Sequence, residues 1–238
     1  MKFSTFIAVD EKYLGQLRLT MPTWKKYRRE IWEGPLFIVY DYHQVKQRDM
    51  DWIQHPDIRF IPWPPAIANP YASQREKMLS ALVWAPARHC TTPWYFKIDC
   101  DTWATQQANW IEDKWFVDDP AFVGVPWGYT KPAEQMPMLD DWADGIPGLS
   151  EHPRLNLKPE PGSKLLRHQR ICSWVFFGNT AWTRRVSKYF PPGNLPAPTQ
   201  DGVLWFIAAR TGANYKTFKA KRLGWRNGKL NQIPKDDE

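Results

Sequence analysis

Apolar residues along this chain gather in short dense runs, separated by stretches in which they recur every three or four positions. Dense runs bounded by turn residues predict buried strands, and the wider spacing predicts helices with one buried face. Ser4-Thr5-Phe6-Ile7-Ala8-Val9 reads as the first strand, and residues 11–29 as a helix with Tyr13, Leu14, Leu17 and Met21 on one face. Pro22 is a candidate interruption of that helix. Leu36-Phe37-Ile38-Val39-Tyr40 is a second strand closing at Asp41; a short helix over 45–53 leads to a third strand over 58–61. After a Pro-rich loop over 62–70, the pattern predicts a strong helix over 74–87 that buries Met78, Leu79, Leu82 and Val83. Trp94-Tyr95-Phe96-Lys97-Ile98 follows as the next strand.

Beyond residue 101 the pattern loosens. Phe122-Val123-Gly124-Val125 reads as a strand, and 127–170 as a long polar, Pro-rich loop, a length that in a compact domain marks function or disorder. A clear strand over 171–177 ends at Gly178-Asn179, a helix covers 180–190, and Thr199-Gln200-Asp201 caps a last helix over 202–210. Strands alternating with helices predict an α/β fold built on a mainly parallel, Rossmann-type sheet flanked by helices, with a mixed C-terminal half. A length of 238 residues fits one domain over 1–238.

Composition narrows the class. At 43% hydrophobic residues the chain can fill a core, and 15 Trp with 22 Pro predict many ordered, rigid loops. Cys90, Cys100 and Cys172 have neither zinc spacing nor an even-numbered framework, which fits a reducing compartment. Asp10, Glu11 and Lys12 end the N-terminal apolar run too early for a signal peptide, and no run reaches membrane-spanning length. The expectation is a soluble, cytoplasmic protein. No Gly-x-Gly-x-x-Gly and no P-loop follows the first strand, which counts against a dinucleotide oxidoreductase and a P-loop kinase. A formal charge of +7 predicts attraction to polyanions.

The strand over 94–98 runs straight into Asp99-Cys100-Asp101. In open α/β sheets ligands bind beyond the carboxyl ends of the strands, where these two carboxylates would stand. Carboxylates so close repel one another unless a cation or water intervenes. A hard divalent cation, Mn²⁺ or Mg²⁺, held by one or two carboxylates and completed by substrate phosphates would use both. The other reading is an Asp-rich turn that caps the strand.

In their order, these motifs resemble the GT-A fold nucleotide-sugar-dependent glycosyltransferases over roughly residues 4–210. The resemblance implies that Asp99 and Asp101 hold the metal and the nucleotide-sugar diphosphate of a UDP-sugar. It implies nucleotide contacts from Asp41 and Arg75, with Asp10 as a further candidate, and a catalytic base in Asp201. It divides the chain into a nucleotide-binding half over about 1–101 and an acceptor half over about 102–238. The sequence departs from the family in three places. The first strand lacks a Pro-Thr-Tyr-Asn start, Gln200-Asp201 stands where many members have Glu-Asp, and no His follows His168 to act as a late metal ligand. Water or substrate oxygens would fill that place. As plain residues, Asp201 and Asp41 read equally as a helix cap and a strand terminator.

The acceptor is the open question. Lys216, Lys219, Lys221, Arg222, Arg226 and Lys229 form a basic stretch without acids, and a second cluster lies at Lys25-Lys26-Tyr27-Arg28-Arg29. Trp63, Trp127, Tyr129, Trp142 and Trp225 are expected in loops, where aromatic rings could stack on bases. Trp127, Trp225, Lys219, Lys221, Arg222 and Arg226 are therefore the candidate contacts to double-stranded DNA. A compact basic enzyme of this kind is similar to phage-type glycosyltransferases that modify hydroxymethylated bases such as 5-hydroxymethylcytosine, which implies action in a host cytoplasm. A saccharide, lipopolysaccharide precursor or protein acceptor is the alternative, with a nucleotidyltransferase and a non-catalytic nucleic-acid-binding module as readings from other classes. Equally, the charge run is a solvated face.

Overall fold

The computed structural model describes residues 1–63, 79–105, 109–127, 135–156, 170–190 and 200–228. Nine strands are described: β1 Ser4–Val9, β2 Leu36–Tyr40, β3 Ile58–Pro62, β4 Trp94–Ile98, β5 Thr102–Ala104, β6 Phe122–Trp127, β7 Arg170–Asn179, β8 Tyr215–Thr217 and β9 Trp225–Asn227. Seven of them form one sheet in the order β3-β2-β1-β4-β7-β6-β8, while β5 and β9 pair in a separate antiparallel ribbon. The large sheet is parallel apart from β7, which runs antiparallel to β4 and β6. This is the expected mainly parallel α/β fold.

The described α-helices are α1 Glu11–Tyr27, α2 Ala85–His89, α3 Gln135–Asp144, α4 Thr180–Val186 and α5 Gln200–Arg210. They cover both faces of the sheet and make a core on each. One core gathers Phe6, Phe37, Leu82, Tyr95, Phe176 and Phe206; the other gathers Ile7, Leu17, Trp24, Ile38, Phe96 and Phe177. Neighbouring positions of one strand divide between the two cores, as the pleat requires.

Several expectations are corrected. α1 runs unbroken through Pro22, because that residue is exposed while Leu17, Thr20, Met21 and Trp24 hold the helix to the sheet. The segment over 45–53 contains only a 3₁₀ turn at Gln47–Met50. The helix ahead of β4 is described from Leu79, as a π-helical turn at Ser80–Trp84 followed by α2; residues 74–78 lie outside the described residues. Pro86 at the start of α2 lacks the N–H that a continuous α-helix needs, and the wide turn ends just ahead of it.

Within the stretch read as a loop, α3 is a helix. Its formation is tertiary: Leu139 and Ala143 are buried, and Arg210 from α5 pairs with Asp140 and Asp144. Trp63 and Trp225 are buried and Trp142 lies on α3, so much of the tryptophan content packs the interior instead of stiffening loops. None of the described helices is long and apolar enough to cross a membrane.

Candidate active site

The chain leaves β1 toward β2 and β3 on one side, then returns to place β4 on the other side of β1. Such a reversal of strand order opens a crevice at the carboxyl ends, the usual ligand position in open α/β sheets. β1 and β4 pair in register only as far as Phe6 and Lys97, although β1 continues to Val9. Asp10 follows β1, Asp41 follows β2, and Asp99 follows β4, so three of the expected acids stand on this one edge.

Residues 99–104 are pinned from two sides. The Asp99 N–H donates to Trp174 O of β7 at 2.9 Å, carrying the chain one step beyond the sheet. From α1, the Thr20 hydroxyl donates to Cys100 O at 2.7 Å and the Trp24 indole N–H donates to Thr102 O at 2.7 Å. Thr23 Oγ1 accepts the Ala104 N–H at 3.0 Å. The buried face of α1 thus fixes the backbone that presents both carboxylates.

The two acids have different partners. Asp99 Oδ1 takes a hydrogen bond from the Lys97 ammonium, which is fully buried and also donates to Ser173 O at 2.7 Å. Asp101 Oδ1 accepts from the Asn227 amide at 2.7 Å, and the same amide nitrogen reaches Thr102 Oγ1 at 3.2 Å. Burial, and next the charge of Asp99, raise the Asp101 carboxyl above its ordinary value. Between the two, burial and the charges of Asp99, Asp101 and Asp10 push the Cys100 thiol far upward, and its Sγ–H points to Ala8 O at 3.1 Å. Cys100 is therefore held as a buried, neutral thiol.

What remains is an oxygen donor set, suited to a hard cation. Among the described residues no group of three or more His, Cys, Asp or Glu side chains could hold a metal. Two carboxylates fit Mn²⁺ or Mg²⁺ when substrate phosphates and water complete the shell.

Asp10 caps α1, accepting the Tyr13 N–H at 3.0 Å, and buried Asp41 accepts the His43 N–H at 3.1 Å. Both therefore carry local backbone duties at the crevice edge. Arg75 lies outside the described residues, and Asp201 is placed by its backbone in the first turn of α5. Trp127 ends β6, which is parallel to β4 with β7 between them, so its backbone reaches the same end of the sheet.

The basic stretch divides in two. Lys219, Lys221 and Arg222 are exposed around the 3₁₀ turn Ala220–Leu223, whereas half-buried Arg226 donates to Lys221 O and Trp225 O, both at 2.9 Å. Trp225 is corrected from a loop to the core. It lies in β9 at 0% exposure, with the Arg28 guanidinium 4.6 Å from its ring centre and Trp110 at 5.3 Å, and has no face left for a base. Burial lowers Arg28 to about 10, and it donates to Leu223 O at 2.6 Å. This cluster anchors the C-terminal strand that brings Asn227 to Asp101.

Sequence reasoning missed Lys97 and Asn227, and it read Arg28 only as part of a basic cluster, whereas the structure buries it. A lone lysine in an aromatic strand was a readable signal; Asn227 gave none.

No protein-family model matches the chain, and no curated protein matches it. Solved structures do. Core-mannan synthase A from Aspergillus fumigatus, in a Mn/GDP form, aligns with a TM-score of 0.56 at 10% identity, over 95% of this chain and 74% of that one. An active-site mutant of LgtC aligns at 0.55 and 13% identity, over 90% and 72%. Mouse xyloside xylosyltransferase 1 aligns at 0.52 and 9% identity, over 98% and 99%. The chain has the α/β fold of these GT-A glycosyltransferases.

Proposed function

We propose that this protein is a metal-dependent glycosyltransferase that moves a sugar from a nucleotide-sugar to an acceptor hydroxyl. The observation that carries this reading is the placing of Asp99 and Asp101 at the strand-order reversal of a fold shared with sugar transferases. A Mn/GDP form of a structural neighbour supports a divalent cation with a nucleotide diphosphate.

In this reading Asp99 and Asp101 hold Mn²⁺ or Mg²⁺, which when bound supplies positive charge against the departing diphosphate. Asp10 and Asp41 line the nucleotide side of the crevice, and Arg75 is a further nucleotide contact. Asp201 serves as the base that takes the proton of the acceptor hydroxyl as that oxygen attacks the sugar. Residues 1–101 form the nucleotide half and 102–238 the acceptor half.

The finer reading, a hydroxymethylated base in DNA as acceptor and a phage origin for the enzyme, rests among the described residues on exposed Lys219, Lys221 and Arg222. The structural neighbours lend it no support. The test is release of UDP or GDP from a panel of nucleotide-sugars with Mn²⁺, alone, with simple saccharides, and with hydroxymethylcytosine-containing DNA. Metal-dependent release, lowered about 10²- to 10³-fold in Asp101→Asn, is the expected result. Acceleration by saccharide or by DNA assigns the acceptor. No release under any condition, with DNA binding retained, would replace the enzyme by a binding module.

A further inference from the structure

Strand β4 carries one charged side chain, Lys97, among Trp94, Tyr95, Phe96 and Ile98. Its side chain is 0% exposed. In register it lies beside Phe6 of β1 and Phe176 of β7, both core residues. An ammonium in such a place carries a large desolvation cost unless it is paired and hydrogen-bonded. Lys97 is both: residues two apart on a strand share a face, and its ammonium meets Asp99 Oδ1 and Ser173 O.

The two carboxylates are therefore unequal. Asp99 has a resident cation, whereas the hydrogen-bond partner of Asp101 is the neutral amide of Asn227. With Lys97 counted, the Asp99–Asp101 pair carries one net negative charge instead of two. Resting on the reading of Asp99 and Asp101 as a metal–diphosphate site, we propose that Lys97 is a positioning residue that orients Asp99 and weakens uptake of the bare cation. Binding of the metal then depends on the charge of the nucleotide diphosphate arriving with it. Asp101 is the stronger protein ligand and Asp99 the tethered one.

The test measures Mn²⁺ binding at fixed pH from the spin-resonance signal of free Mn²⁺, with and without UDP, for wild type, Lys97→Met, Asp99→Asn and Asp101→Asn. In Lys97→Met, bare Mn²⁺ should bind at least about tenfold tighter, since a nearby positive charge has gone, and the gain from added UDP should shrink. Unchanged or weaker binding by folded Lys97→Met overturns the proposal. Should that variant fail to fold, the carboxylate variants decide. Asp101→Asn losing at least about fivefold more Mn²⁺ affinity than Asp99→Asn supports the tethered role; equal losses or the reverse order overturn it. A wild type that binds no Mn²⁺ alone, with UDP or with GDP would instead remove the metal-site reading itself.

Discussion

At the scale of single residues, close approach decides more than chemistry does. Gly178 of β7 lies opposite Tyr95 of β4, and a Cβ there would run into the Tyr95 ring. That ring cannot swing aside cheaply, because its buried hydroxyl donates to Leu82 O at 2.7 Å and lies 3.2 Å from the Thr183 hydroxyl. Burial raises the Tyr95 phenol far above its ordinary value, so it stays a donor. Gly178→Ala should destabilise the fold by about 1–3 kcal/mol, read as a lower denaturation midpoint in urea. The glycine was visible in the sequence only as the end of a strand; its necessity depends on a ring that arrives from 83 positions earlier in the chain.

At the scale of elements, α1 and α5 do different work. α1 is the clamp on the Asp99–Ala104 segment, and its buried Thr20 hydroxyl is one jaw. Thr20→Val keeps the shape but leaves the Cys100 carbonyl without that donor, an expected cost of about 1–3 kcal/mol. If the clamp sets the geometry of the acids, the same variant raises the Mn²⁺ concentration needed for half-maximal nucleotide release. α5 contributes Arg210, whose buried guanidinium bonds Asp140 at 2.6 Å and also pairs with Asp144. Asp140 further accepts the N–H groups of Leu155 and Asn156 at 3.1 and 3.2 Å, tying the chain after α3 to the same point. Asp140→Ala would take one of its two carboxylate partners from a buried guanidinium and leave two backbone donors without their acceptor. A loss of about 3–5 kcal/mol is expected in equilibrium denaturation.

The strands β1, β2, β3, β4, β6 and β7 and helix α1 were legible because each carries a dense apolar run or a continuous buried stripe. α3 was not, since Pro137 and three aspartates interrupt its apolar positions and its partner Arg210 lies some seventy residues later. Three-residue strands such as β5, β8 and β9 are too short to hold a period at all.

For the molecule as a whole, His55 and His89, whose pKa values are lowered in the fold, contribute a loss of stability in acid. His55 accepts the Asp57 N–H at Nδ1, 3.1 Å, and its Nε2 lies 3.2 Å from Ile31 O, an arrangement that a neutral ring satisfies. Burial lowers its pKa below 6.5, and burial with the charges of Arg88 and Arg59 lowers that of His89. The unfolded chain therefore takes up these protons first. The histidines' contribution to stability is full above about pH 6.5 and is lost as the pH drops through that value toward the folded pKa values. Thermal melts between pH 7.5 and 5 should show this decline, with a shallower slope in His55→Gln/His89→Gln; parallel slopes would exclude both histidines.

The sequence by itself determined the mainly parallel sheet and the acidic pair at the end of β4. Apolar density and strand period are local properties, and Asp-x-Asp follows its strand without a gap. Only the tertiary structure decided what surrounds that pair. Lys97 faces Asp99 because the pleat puts alternate residues on one face, and it is tolerated there because β7 closes over it with a carbonyl. Asn227 reaches Asp101 because Arg28 and Trp110 bury Trp225 and carry β9 back across the chain. The hydrogen bonds that hold Lys97 to Ser173 and Asn227 to Asp101 join residues far apart in sequence, and such contacts leave no periodic trace in the chain that makes them.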